Sequence, residues 1–289
     1  MSGPLPEFAL GIGWRPPICG LIAQLDGLDF CEVVAESLPV TGAPGAYEVV
    51  VPRELVALRD RGTQVVPHGV SLSLGGAEPV NRARVERLAR CAETLGAPLV
   101  SEHIAFVRAG GLEAGHLLPV PRTAEALAVL VANITRTQDG IGVPLAVENI
   151  AALFEWPDNE MTQSEFLTEI VERTGVYLLL DIANVYADAR NRGRDPHTEL
   201  RRLPTERIAY CHIAGGMESG GRYHDTHRHP IPAPVLELVA EFVRDHPVPL
   251  MLERDGDYPP DDELLDELDA ISNAAARAPI TATARAVLR

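Results

Sequence analysis

The segment YLLLDIANVY, Tyr177–Tyr186, shows most clearly the pattern from which the fold is predicted. A run of leucines, typical of a strand that is buried on both faces, is followed directly by the carboxylate of Asp181. Strand-like runs of the same kind recur along the chain, and helix-like segments separate them. The other runs are LGIGW (Leu10–Trp14), FCEVVAES (Phe30–Ser37), QVVPHGVSLS (Gln64–Ser73), PLVSEHIAF (Pro98–Phe106), PLAVENI (Pro144–Ile150), IAYCHIAGG (Ile208–Gly216) and PLMLERDGD (Pro249–Asp257).

Strands that alternate with helices predict βαβ units and a parallel sheet. Eight such units in 289 residues predict a closed (β/α)8 barrel, the TIM barrel, in a single domain covering residues 1–289. We expect the barrel core to span about residues 8–278 and residues 279–289 to form a loosely held tail.

Helix ends are predicted from capping residues and periodicity. Thr162 and Glu165 have the spacing of a capping box, and the segment 162–175 should be helical. The sixth helix, around HTELRRLP, is predicted to be short, and the longest loop to run from Gly215 to Pro234. Other predicted helices cover residues 81–96, 123–142, 233–247 and 261–278.

Composition excludes several classes of function. A net charge of −16 argues against binding nucleic acid across a large surface, because phosphate contacts need a basic face. No apolar stretch approaches the ~18 residues of a membrane span, and the N-terminus lacks a basic signal region. We therefore expect a cytoplasmic protein without a membrane partner. The four cysteines lack CxxC spacing, so neither a disulfide framework nor a thiolate zinc site is predicted.

Ionisable residues lie at or just after the ends of six predicted strands. In a (β/α)8 barrel these ends meet at one mouth, where the active site lies. Each residue alone could be a helix cap, an ion pair or a hydrogen-bonded core histidine. A shared cation would compensate the buried carboxylates together, and neutral imidazoles are good metal ligands. The pattern therefore predicts a multi-metal catalytic site formed by His68, His103, Glu148, Asp181, His212 and Glu253.

The segment HDTHRHP, residues 224–230, adds further candidates. Asp225 and His227 are two residues apart, so in an extended segment they would share a face and could bind one ion. Asn184 could provide an amide oxygen, whereas His224 and His229 better suit a role beside the ligands or facing substrate. Oxygen and imidazole ligands favour iron, manganese or zinc without choosing among them.

Seven motifs, in order, resemble the multinuclear non-heme iron-dependent oxidative enzymes, a family that includes the oxidase subunit of methanobactin biosynthesis. Glu32 and Glu36 also match acidic positions in the family's second strand, and the resemblance extends from Gly11 to about Glu267. The motifs are HGVSLSLGG, SEHIAF, VENI, GVYLLLDIANVYADARNRGRDP, HIAGG, YHDTHRHPIP and LERDGDYP.

The resemblance implies a barrel that holds two or three iron ions of mixed Fe2+/Fe3+ valence. With dioxygen as co-substrate, it would modify a ribosomally synthesised precursor peptide, often at cysteine. A separate leader-recognition protein is implied as a partner. The ligand groups carried over by motif are His68, His103 and Glu148; Glu148 as a bridge with Asp181, His212 and Glu253; and Asn184, Asp225 and His227.

Some motifs differ from the family's commoner pattern. GIGWRPPICG lacks the histidine that often follows this opening, DIAN replaces D-V-N-N, and HIAGGMESGGRYHDTH is longer and richer in glycine. These differences do not affect the ligand positions, but the resemblance then does not identify the substrate or the product. The glycines of the loop 215–234 predict mobility there, which would admit a peptide to the mouth.

Two alternatives remain at this point. The ligand order also resembles the trinuclear zinc barrel of apurinic-site endonucleases and, more distantly, sugar isomerases. Those nucleases have a histidine where this chain has Asn184, and they need a basic DNA-binding face. The other alternative is a catalytically idle barrel that binds a peptide.

Overall fold

Eight parallel strands close into one barrel, which confirms the predicted (β/α)8 fold. The computed structural model describes residues 3–43 and 45–288; the predicted domain range 1–289 also includes positions 1, 2, 44 and 289, which lie outside the described residues. The barrel strands, numbered in chain order, are β1 Leu10–Trp14, β2 Phe30–Val34, β3 Gln64–Gly69, β4 Val100–His103, β5 Leu145–Glu148, β6 Tyr177–Asp181, β7 Ile208–Ile213 and β8 Leu250–Leu252.

Helices surround the barrel, and their apolar faces pack on the outward side chains of the strands. Among the described residues, no helix is both long enough and apolar enough to cross a membrane. The helices are α1 Cys19–Ile22, α2 Arg53–Asp60, α3 Arg82–Leu95, α4 Ala124–Gly140, α5 Gln163–Thr174, α6 Ile182–Asn191, α7 Pro196–Arg201, α8 Ala233–Asp245, α9 Asp261–Ala274 and α10 Ala282–Val287.

The capping residues set the helix ends where the sequence predicts them. The Asn81 side chain accepts hydrogen bonds from two backbone N–H groups at the start of α3, and Gly96 ends that helix in the left-handed conformation. Both hydrogen bonds of the predicted capping box between Thr162 and Glu165 are present at the start of α5.

The sixth βα unit differs from the prediction. The strand was expected to continue to Tyr186, but it ends at Asp181 and α6 begins at the next residue. Asp181 Oδ1 accepts a hydrogen bond from the backbone N–H of Asn184 at 2.8 Å and so caps α6. The expectation of one short helix around HTELRRLP was therefore incomplete, because α6 precedes that segment, which forms α7.

The segment predicted as the longest loop, 215–234, is partly a β-hairpin. Gly216–Ser219 pairs with Arg222–Asp225, and Gly220 and Gly221 form the turn with positive φ angles. Gly215 serves a different purpose, because a Cβ atom there would lie 2.1 Å from the carbonyl oxygen of His229. At this position glycine permits close packing of backbone rather than mobility.

Two further pairs of short strands lie outside the barrel. Ala105–Ala109 pairs with Leu112–Pro119 directly after β4, on the side of the barrel where the strands end. Val40–Thr41 pairs with Glu48–Val49. Near the C-terminus, in the segment predicted as a loose tail, Ala284 of α10 is buried and Thr281 Oγ1 donates to Asp269 at 2.6 Å.

Side chains alternate along each barrel strand between the outer core and the interior. In β1 the inward positions are glycines; a Cβ atom at Gly11 would lie 2.6 Å from the ring of Phe30. The seven other strands each place one uncharged side chain in the lower interior: Phe30, Val66, Leu99, Ala146, Leu179, Tyr210 and Met251. Two positions further along these strands, at the carboxyl end, are Glu32, His68, Ser101, Glu148, Asp181, His212 and Glu253, all buried.

Candidate metal centre

The carboxylate of Glu148 lies among three histidines at the mouth of the barrel. Its Oε2 atom is 3.5 Å from His68 Nε2 and 3.3 Å from His103 Nε2. Its Oε1 atom is 3.3 Å from His212 Nδ1, and this nitrogen is also 2.8 Å from Glu253 Oε2. Glu148 on β5 therefore lies between imidazoles from the adjacent strand β4 and from β3 and β7, each two strands away.

His227 links the hairpin segment to this cluster. Its Nε2 atom is 2.6 Å from Asp225 Oδ2 and 3.4 Å from Asp181 Oδ2, and its Nδ1 atom is 2.9 Å from Glu253 Oε2. The predicted proximity of Asp225 and His227 is correct, but the extended backbone invoked for it is wrong. His227 has a φ of 51°, and backbone hydrogen bonds to Gly215 and Asp255 hold it there.

Potential ligand atoms fall into overlapping groups in which all the atoms lie within 4.8 Å of one another. Four residues, Glu148, Asp181, His227 and Glu253, each belong to two groups, so the three carboxylates among them could each contact two ions. The groups are His68, His103 and Glu148; Glu148, Asp181, His212 and Glu253; Asp181, Asp225 and His227; and His227, Glu253 and Asp255.

Asn184 is oriented as a potential oxygen ligand. Its Nδ2 atom donates to the backbone carbonyl of Asn149 at 3.0 Å, which leaves the buried Oδ1 atom without a hydrogen bond. Asn149 in turn exchanges two hydrogen bonds of 3.0 Å with the backbone of Asp181, using both ends of its amide. These bonds fix β5 against β6 at the level of the centre.

The buried polar atoms of the centre fit a bound cation. Buried polar atoms without a partner are costly, and a metal ion is a partner that nitrogen and oxygen lone pairs can share. Within the described residues, the atoms here that make no hydrogen bond are His103 Nδ1, Glu148 Oε2, Asp181 Oδ2, Asn184 Oδ1, His212 Nδ1, Asp225 Oδ1, His227 Nε2 and Glu253 Oε2.

The pKa values of the metal-free centre reflect this crowding of charge. Burial lowers the pKa of a histidine, yet Glu148 and Glu102 outweigh it and raise the pKa of His103 to about 9. Burial raises the pKa of Asp181 to about 6, with Asp225 adding to the effect, although the nearby imidazole of His227 opposes it. A cation in the centre would replace the protons that the histidines otherwise hold.

Several residues of the site were not among the predicted ligands. Arg15, which is buried, donates to Asp255 Oδ1 at 2.6 Å and 3.0 Å and to Glu253 Oε1 at 3.4 Å, and so holds Glu253 in place. The spacing of Asp255 from Glu253, two residues in LERDGD, could have indicated it. Nothing local in GIGWR indicates that Arg15 turns into the site.

Glu102 and Glu36 support the loop after β3. Glu102 Oε2 accepts from the backbone N–H groups of Ser71 and Leu72 at 3.1 Å and 2.8 Å, and Glu36 accepts from the backbone N–H of Val70 at 3.2 Å.

The other two histidines of the segment 224–230 do not point into the ligand cluster. His224 Nε2 lies 3.1 Å from the carbonyl oxygen of Ser219, and His229 Nδ1 lies 2.7 Å from Thr226 Oγ1. The predicted roles of these two histidines remain predictions.

A cavity of about 290 Å³ opens onto the cluster. One wall carries His68, His103, Glu148, Asn184 and Glu253, among others. Apolar residues also line the cavity, among them Val70, Leu117, Ile150 and Ala151. His116, from the hairpin after β4, also lines the cavity. The cavity therefore combines potential metal ligands with apolar side chains that could contact an uncharged group of a substrate.

Comparison with known proteins gives both sequence and fold matches. A family model described as RiPP precursor modification enzyme MbnB/TglH/ChrH, where RiPP denotes a ribosomally synthesised and post-translationally modified peptide, matches residues 9–276. A UPF0276 protein of Streptomyces avermitilis is 51% identical over 282 residues, which are 95% of this chain and 56% of that protein. The chain thus spans about half of that relative. A UPF0276 protein of Caulobacter vibrioides is 38% identical over 91% of this chain and 93% of its own length.

Solved structures share the barrel at low identity. Endonuclease IV from Thermus thermophilus superimposes with a TM-score of 0.61 and 19% identity, covering 93% of this chain and 100% of that one. D-allulose 3-epimerase from Methylomonas sp. gives a TM-score of 0.57 and 14% identity, with coverage of 95% and 96%. At this identity the likeness shows the fold alone.

Proposed function

Because the chain belongs to the family of RiPP precursor modification enzymes MbnB/TglH/ChrH, we propose that it is an iron- and dioxygen-dependent oxidoreductase that modifies a ribosomally made precursor peptide. The observation that carries the proposal is the convergence of unpartnered imidazole and carboxylate atoms around Glu148 at the barrel mouth. Such a set, without thiolates, suits iron.

The proposed ligands are those carried over from the sequence, grouped as their atoms lie. Two or three iron ions of mixed Fe2+/Fe3+ valence would share Glu148 and Asp181 as bridging carboxylates. The ligand set is His68, His103, Glu148, Asp181, Asn184, His212, Asp225, His227 and Glu253, and the strand-end residues His68, His103, Glu148, Asp181, His212 and Glu253 are also the proposed catalytic set.

Bound iron would supply one-electron chemistry with dioxygen, which side chains alone cannot perform. The residues of the chain have the tasks of binding, orienting and shielding. The ion pair between Arg15 and Asp255 holds Glu253 toward the ligand cluster. Val70, Leu117 and Ile150 line the same cavity as the ligands and would exclude water beside a bound peptide side chain.

The substrate would be a precursor peptide, often modified at cysteine, delivered by a separate leader-recognition protein. Exposed apolar side chains on the loops of the mouth, Leu153, Phe154 and Met217, offer contacts for a peptide. A ribosomal peptide is first present in the cytoplasm, so we place the protein there. The net charge of −16 disfavours nucleic acid as a substrate.

The test is to load the protein with iron anaerobically and incubate it with the short peptides and any small recognition protein encoded beside its gene. Peptide mass is followed with and without oxygen, and metal content is measured by elemental analysis. We expect at least two irons per chain and a mass change that requires oxygen. Stoichiometric zinc with no activity gained on iron loading, or turnover independent of oxygen, would contradict the proposal and favour a hydrolase.

A further inference from the structure

Glu32 lies on β2 beside the ligand cluster, at the level of His68 and His212, and is completely buried. Its Oε2 atom accepts a hydrogen bond from the Tyr210 hydroxyl at 2.5 Å and lies 2.9 Å from His212 Nε2. The Tyr210 oxygen lies 2.8 Å from Ser101 Oγ, and Ser101 Oγ lies 2.8 Å from His68 Nδ1. One carboxylate is therefore joined to two histidines of the centre, to His212 directly and to His68 through two hydroxyls.

The direction of each hydrogen bond follows from the donors available. An ionised carboxylate only accepts, so Tyr210 donates its single hydroxyl proton to Glu32. The Tyr210 oxygen can then only accept from Ser101, and Ser101, having donated, accepts from the Nδ1–H group of His68. His212 likewise donates its Nε2–H group to Glu32.

We propose that Glu32 is a positioning residue for the metal centre, which fixes the protonated nitrogen of both His68 and His212. The chain of hydrogen bonds from His68 through two hydroxyls to Glu32, here called the relay, leaves His68 Nε2 facing Glu148. The direct bond from His212 to Glu32 leaves His212 Nδ1 facing Glu148 and Glu253. The two histidines thus present different ring nitrogens to the ligand cluster, and they belong to different ligand groups. One buried carboxylate orients ligands of two neighbouring ions.

A purely structural role explains this arrangement less well. Two residues earlier on the same strand, the inward side chain is the apolar Phe30. A buried carboxylate costs free energy that such an apolar side chain would not. A carboxylate that accepts from the distal nitrogen of a histidine makes the other nitrogen a better ligand. The inference rests on the metal-binding part of the proposed function and does not depend on dioxygen chemistry.

The experiment uses Co(II) as a spectroscopic probe. The metal is removed by chelation, and Co(II) is titrated back in competition with a chelator while visible absorption reports each bound ion. Glu32→Gln should weaken Co(II) binding by about 10–100-fold at both the His68 and the His212 positions. The reason is that neither histidine then has the carboxylate acceptor that fixes its protonated nitrogen. Ser101→Ala and Tyr210→Phe should weaken only the ion at His68, because the bond from His212 to Glu32 remains.

Ser272→Ala is the matched control for Ser101→Ala. Both hydroxyls are completely buried, but Ser272 donates to the carbonyl oxygen of Leu268 within α9, at 2.9 Å. Its loss should leave Co(II) affinity unchanged. Melting of the metal-free variants separates a loss of folding from a loss of ligand orientation.

Nitrogen-15 NMR of the Zn(II)-loaded protein with labelled histidine gives a readout that packing alone would not change. We expect His68 to bind through Nε2 and His212 through Nδ1, and both remaining N–H protons to exchange faster in Glu32→Gln. If the wild type binds Co(II) and Glu32→Gln binds it as tightly, the inference is wrong while the proposed function stands. If Ser101→Ala behaves like Ser272→Ala, the relay to His68 is wrong.

Failure of the wild type to bind Co(II) would instead reject the metal centre itself, and with it both proposals. Should Glu32→Gln not fold, Tyr210→Phe and Ser101→Ala decide the matter, because each removes one link and leaves the carboxylate in place. Equal Co(II) affinity in these two variants and the wild type would then overturn the relay.

Discussion

Along most strands of this barrel, the first inward side chain is apolar and the second is a hydrogen-bonding or ionisable group. Leu179 and Asp181 on β6, and Met251 and Glu253 on β8, are such pairs. The first inward side chains form the lower layer of the interior and pack against one another. The second form the upper layer, in which several buried polar atoms have no hydrogen-bond partner. The lower half therefore stabilises the fold by itself, and the upper half needs a further component.

This contrast separates stability from function within one interior. Buried apolar groups gain free energy on folding, and buried carboxylates lose it unless they are paired. Two adjacent sets of residues on the same strands should therefore respond oppositely to substitution. Changes in the lower set should affect folding first, and changes in the upper set should affect metal binding first.

The largest effect is expected at Glu148. Glu148→Ala removes a carboxylate shared by two ligand groups, so more than one metal ion per chain should be lost and turnover should fall by about 100-fold or more. Elemental analysis and peptide turnover measure the change. His227 also belongs to two groups, but one of them contains Asp255, which is already paired with Arg15, so His227→Ala should cost mainly one ion. Equal single-ion losses in the two variants would contradict the bridging assignment.

In the lower half, Leu179→Ala should behave in the opposite way. Leu179 is completely buried, and its truncation should reduce the free energy of unfolding by about 2–5 kcal/mol through lost contacts and a cavity. The number of metal ions bound per folded chain should remain that of the wild type. Denaturant unfolding and elemental analysis of the folded fraction test this. A variant that folds normally but loses metal would remove the distinction between the two halves.

Two residues further along β6, Asp181→Asn should change the pH dependence of the metal-free protein. The pKa of Asp181 is about 6 in the folded protein, above that of an exposed aspartate, so folding favours its protonated form. The corresponding stability is fully present below about pH 4 and is lost as the pH rises through about 6. The amide of the variant would keep the cap of α6 but not titrate.

The measurement is the free energy of unfolding of metal-free protein from pH 4 to pH 7. The difference between wild type and Asp181→Asn should move in favour of the variant as the pH rises through this range. A difference that is constant with pH would show that the pKa of Asp181 is not raised in the folded protein.

The smallest effect is expected at the rim, where deletion of residues 219–221 removes the exposed turn of the hairpin. Asp225 and His227 should keep their positions, because His227 N donates to the Gly215 carbonyl and its own carbonyl accepts from Asp255 N. Metal content should be unchanged, and the rate of peptide processing should fall by about 10-fold. Parallel loss of metal would identify the hairpin as part of the ligand scaffold.

The sequence could predict that these side chains converge at the barrel mouth, because the strand pattern that buries them is local. The run Leu-Leu-Leu before Asp181 is typical of a strand buried on both faces, so the carboxylate at its end is expected to be buried too. The same rule found His68, His212 and Glu253. It failed at His227, where the predicted extended backbone is replaced by a left-handed conformation, and at α6, whose start depends on the cap at Asp181.

By itself the sequence determined the barrel, its capped helices and the strand-end residues, because these follow from periods of two and of 3.6 residues within short segments. Tertiary structure decided which atoms meet. Glu32 and Tyr210 are 178 residues apart, and Arg15 and Asp255 are 240 apart, so only closure of the barrel between β1 and β8 and its stagger bring them together. The tautomer relay and the support of Glu253 are set by that closure, since no local pattern encodes the pairing of distant strands.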